Sequence, residues 1–371
     1  MRRVVAIAAA LLTTLLAACS STDKPKPTPL EPLTPQIAGR QAWTVKLDTV
    51  GFPLAVAVHG STVTMAGSNG NLLALNAADG QLLWRAEAGA PITAGVGSDG
   101  RFAAVVTRDN ELVVIEQGRP LWRARLGSRV TTAPLVAGER VFVVGVDRVV
   151  HAFDALDGRR LWSLQRPGDA LTLAQRGVLL PFKDVLLAGQ GPRLAGVDPL
   201  KGSVRWEVAL ASPRGTNEVE RLADLVGPAA RHGDRVCARA FQAAVGCVDA
   251  QQGTLLWSRN AGGVEGIGGD AELIVGADAS SRITAWKAGS GEIAWASERL
   301  LHRGLSAPLV AGASVVFGDV EGQVHFLARD GGAPQLRLPT DGSPVMAAPV
   351  LAGGTIVVVT RAGGLFGLRL Q

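Results

Sequence analysis

Short apolar runs rich in Val, Leu, Ile and Ala alternate with polar, glycine-bearing turns from about residue 40 to the end of the chain. RVFVVGVDRVVHAFD (residues 140–154) places two β-branched runs around a polar turn, which predicts a hairpin. VVFGDVEGQVHFLA (315–328) repeats that design. Runs this short, bounded by turn residues, read as strands and not as helices.

The pattern also recurs on a larger scale. ALNAADGQLLW (74–84) returns as AFDALDGRRLW (152–162), GVDPLKGSVRW (196–206), CVDAQQGTLLW (247–257) and AWKAGSGEIAW (285–295). Degenerate copies end at Trp122 and Leu336. In the five close copies a polar residue (Asn76, Asp154, Asp198, Asp249 or Lys287) stands eight positions before the Trp. The repeat ends are Trp43, Trp84, Trp122, Trp162, Trp206, Trp257, Trp295 and Leu336, spaced by 41, 38, 40, 44, 51, 38 and 41 residues. A period near 40, with a tight turn before an aromatic residue, belongs to β-propeller blades of four antiparallel strands.

Each residue type has a task in that unit. The Asp bonds its own backbone and the Gly accepts positive φ, which makes the turn. The Trp opens the outermost strand, where its ring can stack on the neighbouring blade. TAPLVAG (132–138), SAPLVAG (306–312) and AAPVLAG (347–353) are predicted innermost strands, where bulk is excluded. Seven complete units run from Asp48 to Leu336, residues 339–371 supply three more strands, and AWTVKL (42–47) is an orphan outer strand. Joining the last two predicts an all-β, eight-bladed propeller over residues 40–371, its ring closed by pairing N- and C-terminal strands.

The first residues carry processing information. Basic Met1-Arg2-Arg3 precedes an apolar stretch over residues 4–16, too short to span a bilayer and fitting a secretory signal over 1–18. It ends in Leu16-Ala17-Ala18-Cys19, which resembles the bacterial lipoprotein signal. That resemblance implies a Cys19 thiol diacylated with palmitate-type chains, an anchor strong enough for stable attachment. Ser20 follows in place of Asp, the pattern of outer-membrane sorting in enteric-type bacteria. Residues 19–39 contain Pro25, Pro27, Pro29, Pro32 and Pro35 and are expected to form a semi-extended tether between lipid and propeller.

Net charge is +5, including Arg2 and Arg3, with Lys and Arg scattered and no nucleic-acid signature. Beyond Cys19 there are two cysteines, Cys237 and Cys247, on the arms of a predicted hairpin. An exported chain permits a cross-strand disulfide between them, and two buried thiols are the alternative. No His pair stands near to make a metal site. His59, His151, His232, His302 and His325 share no ligand spacing, and no phosphate loop or nucleophile elbow occurs. The expectation is a protein without catalytic residues, metal or cofactor. AGGVEGIGGD (261–270) reads as a flexible connection.

The Asp-x-x-x-Gly-x-x-x-Trp element resembles the tryptophan-docking motif of pyrroloquinoline-quinone dehydrogenases. It is a blade motif and leaves a quinone- or small-molecule-binding propeller as an alternative function. Those enzymes carry an adjacent Cys pair in the pocket, absent here. A sugar-binding propeller is disfavoured, because there is no Tyr and seven of the eight Trp mark blades.

Binding is expected where the repeats deviate, since loops on rigid frames carry function. The two longest intervals are consecutive, ending at Trp206 and Trp257, and their extra residues fall after the outer strands. GDALTLAQRGV (168–178) offers Leu171, Leu173 and Arg176, and SPRGTNEVERLADLVG (212–227) offers Glu218, Glu220 and Asp224 around Arg221. GTNEVERLADL (215–225), LLHRGLSAPLV (300–310) and VVFGDVEGQVHFL (315–327) resemble the BamB family of outer-membrane assembly lipoproteins, a likeness running the length of the chain. The resemblance implies a scaffold at the periplasmic face of the outer membrane, docking on the periplasmic domains of BamA and assisting unfolded outer-membrane clients. It assigns the docking patch to Leu171, Leu173 and Arg176 and to Asp224. Ala174 and Gln175 intervene before Arg176, and Val226 stands where the family has a second acid.

Overall fold

A computed structural model describes residues 25–168, 171–212 and 215–371. The signal segment and Cys19 lie outside the described residues. Eight four-stranded antiparallel sheets make up the whole described fold. Seven are formed in sequence order, as blades 1–7, by residues 57–87, 92–125, 135–165, 179–209, 225–260, 268–297 and 309–339. Blade 8 joins the two ends of the chain: Gly39–Lys46 is its outer strand, paired with Gly364–Leu370 from Gly39↔Leu370 to Lys46↔Gly364.

The repeat phrase marks one structural position eight times. Each repeat end sits in the outer strand opposite a third-strand residue at a β-bulge, as in Ala74↔Trp84, Ala152↔Trp162 and Cys247↔Trp257. Leu336 occupies the same register, opposite Phe326. The bulge turns the indole out of its own sheet and onto the turn of the next blade. Five indoles then donate Nε1–H to a carbonyl there, for example Trp43 to Ala77 (2.8 Å) and Trp162 to Pro199 (3.0 Å). The turn glycine beneath has to be glycine. At Gly202 φ is +73°, and a Cβ would stand 2.6 Å from the Trp162 ring. Between blades, apolar faces interlock in clusters, such as Phe142 and Val144 of blade 3 against Leu186 and Ala188 of blade 4.

Cys237 and Cys247 are directly opposed in adjacent strands of blade 5 and are joined by a disulfide. Residues 261–270 form no slack connection. Gly268–Gly269 is the inner strand of blade 6, and a Cβ at Gly266 or Gly268 would lie 2.3 Å from Pro228 or the Pro308 carbonyl oxygen. Glycine is there for close approach, which the sequence reading mistook for flexibility.

The tether differs too. The Thr28 N–H donates to the Leu301 carbonyl (3.0 Å) and the Gln36 N–H to Gln335 (2.8 Å). Arg303 and Arg337 donate to the carbonyls of Thr28 (2.9 Å) and Glu31 (3.2 Å). Leu30 packs on the cluster holding Leu300, Leu305 and Phe317. Residues 28–36 are therefore a strap laid along blade 7, and only the residues before it can act as a spacer.

Strand alternation sends every connection from an outer strand to the next inner strand to one face of the ring, together with the turns between second and third strands. This loop face carries the features that follow.

Candidate partner-docking site on the loop face

The connections 166–178 and 210–224 leave the outer strands Arg160–Gln165 and Val204–Ala209 and meet on the loop face. Together they wall a cleft of about 280 Å³ lined by Leu171, Leu222 and Asp224, with Arg148, Glu218 and Arg221. Leu171 is exposed and Leu173 half-buried.

Asp224 ties the two connections together. Its Oδ2 accepts the Leu173 backbone N–H (2.9 Å), and its Oδ1 accepts Arg148 Nη1 (3.3 Å). Arg148 Nη2 donates in turn to the Leu171 carbonyl (3.2 Å). The Thr172 hydroxyl donates to the Val146 carbonyl (3.3 Å). A carboxylate with 16% of its side chain exposed, bonded this way, shapes the leucine loop and offers little free charge to a partner. Arg148 comes from a blade 3 turn at φ +63°, and nothing in the local sequence pattern announces it.

The other acids divide in the same manner. Glu220 Oε2 accepts the Thr216 N–H (2.7 Å), and its own N–H donates to Asn217 Oδ1 (2.9 Å). The Thr216 amide and hydroxyl hold its carboxyl below the ordinary range. Glu220 thus closes a turn, while exposed Glu218 lines the cleft.

Arg176 lines two hollows, one with Leu173 and Asp224 and one at the centre of the ring. Ala174 and Gln175 carry the chain around to the central channel, where Arg176 lies with Glu265, Val226 and Arg361. Burial pushes its guanidinium down to about 10, against the attraction of Glu265. The protein around the channel raises the Glu265 carboxyl, opposed by Arg239 and Arg176. Arg176 does not flank the exposed Leu171. Val226 is buried in the inner strand of blade 5.

The remaining two family-like segments meet inside blade 7. Arg303 Nε donates to Asp319 Oδ2 (2.8 Å), which also bonds His325 Nε2 (2.8 Å), all three being buried. This cluster went unrecognised as such in the sequence, although the resemblance picks out both stretches that build it. It supports the strap through the Arg303 bond to Thr28. Among the described residues no group of three or more His, Cys, Asp or Glu could hold a metal ion.

The family profile described as outer membrane protein assembly factor BamB matches residues 36–93 and 68–297. The BamB of Burkholderia pseudomallei is 36% identical over 371 residues, covering 98% of this chain and 97% of that protein. This chain belongs to the BamB family. The Bordetella pertussis BamB is 33% identical, with 94% and 92% covered. Among solved structures, BamB from Moraxella catarrhalis superposes with a TM-score of 0.81 at 20% identity, covering 90% of this chain and 100% of that one. Quinohemoprotein alcohol dehydrogenase from Comamonas testosteroni reaches 0.68 at 15% identity, covering 89% and 76%. At that identity the second likeness is one of fold alone.

Proposed function

We propose that this BamB-family chain is a non-catalytic scaffold subunit of the outer-membrane β-barrel assembly complex. It is held at the periplasmic face of the outer membrane by a lipidated Cys19 and docks on the periplasmic domains of BamA through the leucine loop. The observation that carries the docking reading is the Asp224 clamp, which presents Leu171 on a fixed loop beside the Glu218–Arg221 wall of the cleft. An apolar side chain on a pre-shaped loop, rimmed by charge, suits a protein contact because little ordering remains to be done on binding. Arg176 lines a hollow with Leu173 and Asp224 and also reaches the channel, so it borders this patch on its inner side. Anchoring draws its support from the Leu16-Ala17-Ala18-Cys19 sequence.

The test is capture of BamA periplasmic domains by the purified protein. Leu171→Asp and Leu173→Asp are expected to abolish capture, and Asp224→Arg to weaken it by releasing the loop. Undiminished capture by all three variants refutes the docking site. For the anchor, Cys19→Ala is expected to remove palmitate labelling and release the chain from membranes.

A further inference from the structure

At the centre of the loop face two depressions, of about 630 and 390 Å³, share a wall made by Gly51, Phe52 and Pro53. Arg108 and Arg129 line the larger, and Arg176 and Arg361 the smaller. Glu265 is the single carboxylate in the lining of either one.

These four arginines differ from most others in the chain. Arg101 is paired with Glu116, Arg193 with Glu207, Arg205 with Asp184 and Asp198, and Arg329 with Asp270. Arg231, Arg235 and Arg259 donate to backbone carbonyls. Among the described residues the side chains of Arg108, Arg129, Arg176 and Arg361 make no hydrogen bond or ion pair. Arg40, Arg85, Arg119, Arg125 and Arg160, likewise unpaired, lie apart on outer strands. Burial disfavours the charged guanidinium of Arg176 despite the attraction of Glu265, and a ligand carboxylate there offsets that cost.

The shape of the trough favours a chain over a small ion. Between the charged rims lie Phe52, Pro53, Leu54, Ala307 and Met346, an apolar floor that inorganic phosphate has no use for. The trough is also continuous with the leucine patch. Along one loop, Leu171 and Leu173 face the outer cleft and its neighbour, while Ala174 and Arg176 reach the central depressions.

We propose that this trough binds an acidic, extended polypeptide segment whose carboxylates pair with Arg108, Arg129, Arg176 and Arg361. Apolar side chains of the segment face the Phe52 floor, and its acids face the arginine rims. The proposal extends the footprint beyond the leucine patch and stands independently of it.

The test measures binding of a dye-labelled peptide of alternating acidic and apolar residues, and of its Gln/Asn analogue, to the full-length protein in detergent. Two double variants remove the same charge: Arg108→Ser with Arg129→Ser in the trough, and Arg85→Ser with Arg125→Ser on the outer strands. The proposal requires the acidic peptide to bind in preference to its neutral analogue. The trough pair should raise Kd about tenfold and the outer pair less than about twofold. Peptide binding is read on the protein alone, without BamA, so a failure of the leucine patch and a failure of the trough are told apart. Equal weakening by both pairs would reduce the effect to net charge and overturn the proposal. So would equal binding of the two peptides. Tighter binding of phosphatidylglycerol vesicles or inorganic phosphate, lost in the trough pair, would assign the arginines to phosphate and overturn it as well.

Discussion

The Leu173 backbone N–H donates to Asp224 Oδ2 across 2.9 Å, joining two connections 51 residues apart in sequence. In the docking proposed above, the bond would let an acidic position shape the surface without touching the partner. Replacing Asp224 with Ala leaves the Leu173 amide and the Arg148 guanidinium without this acceptor. About 1–3 kcal/mol of local stability is expected to be lost. Hydrogen exchange should quicken over residues 171–178, while the global urea midpoint barely moves. BamA capture should fall in step with loop protection, and Asp224→Asn should retain part of both. Lost capture with exchange unchanged would make Asp224 a direct contact instead.

A second expectation concerns the ring. Gly202 sits under the Trp162 indole with φ +73°, whereas Gly312 has φ +57° and open space around it. Gly312→Ala carries only the backbone penalty of about 1–2 kcal/mol. Gly202→Ala adds overlap with the ring and is expected to cost about 2–4 kcal/mol. Paired urea denaturation curves separate the two. Equal losses would mean the indole contact does not constrain the blade.

What could be read in the sequence follows from how far each feature reaches along the chain. The Asp–Gly turn, the Trp and the strand runs are local, so the repeat revealed eight blades, the Leu336 slot and the closing strand near Trp43. The two long connections stand out as departures in spacing. Partners brought together by closure of the ring left no local trace. Arg148 reaches Asp224 over 76 residues, and Arg303 reaches Thr28 over 275. Arg176 reaches the channel as well as the hollow beside Leu173 because two extra residues turn the chain inward, which spacing alone does not reveal. The strap was read as spacer because proline content reports stiffness and says nothing about where the segment docks.

The disulfide closes a loop with a sequence separation of 10. A loop of that length constrains the unfolded chain by about 2–3 kcal/mol in the chain-entropy description. Reduction, or Cys237→Ser with Cys247→Ser, is expected to lower the urea midpoint accordingly. The serine pair should lose somewhat more, since both sites are buried and apolar. An unchanged midpoint on reduction, with thiols titrated as free, would deny the bond any part in stability.

The Arg303–Asp319–His325 cluster makes stability depend on pH. Burial pushes the His325 imidazole down, despite the pull of Asp319. Below its ordinary 6.5 the unfolded chain takes up a proton that the folded chain resists, so stability falls as pH drops through that point. Burial alone would raise the Asp319 carboxyl, but bonds from His325, the Gln323 amide and Arg303 hold it below the ordinary range. Its contribution is present above the unfolded value near 3.8 and is lost as pH falls through the folded one. Urea midpoints should therefore decline in two stages on acidification. His325→Gln should lower stability at neutral pH and flatten the first stage. A variant with the wild-type slope between pH 7 and 5 would place the titrating group elsewhere.

The strap, with Cys19 lipidated as proposed, would set how far the loop face stands from the membrane. With Thr28 held at Leu301, only residues 19–27 can extend from a lipidated Cys19, about 30 Å at full stretch. Were 19–39 all free, the reach would be roughly 70 Å. Leu30→Asp removes the side chain that packs on the cluster of Leu300 and Leu305, and about 1–2 kcal/mol of strap docking should go with this partly buried group. The amides of Thr28 and Gln36 are expected to be protected in the wild type and to exchange freely in the variant. Protease cleavage over 25–36 should appear in the variant alone, with the midpoint of the blades nearly unchanged. Crosslinking between lipid headgroups and the connection 298–308 should be strong in the wild type and weak in Leu30→Asp, because the freed chain lets the ring swing away. If Thr28 exchanged as fast in the wild type as in an unstructured peptide, residues 28–36 would be spacer after all, and the loop face would have no fixed distance from the membrane.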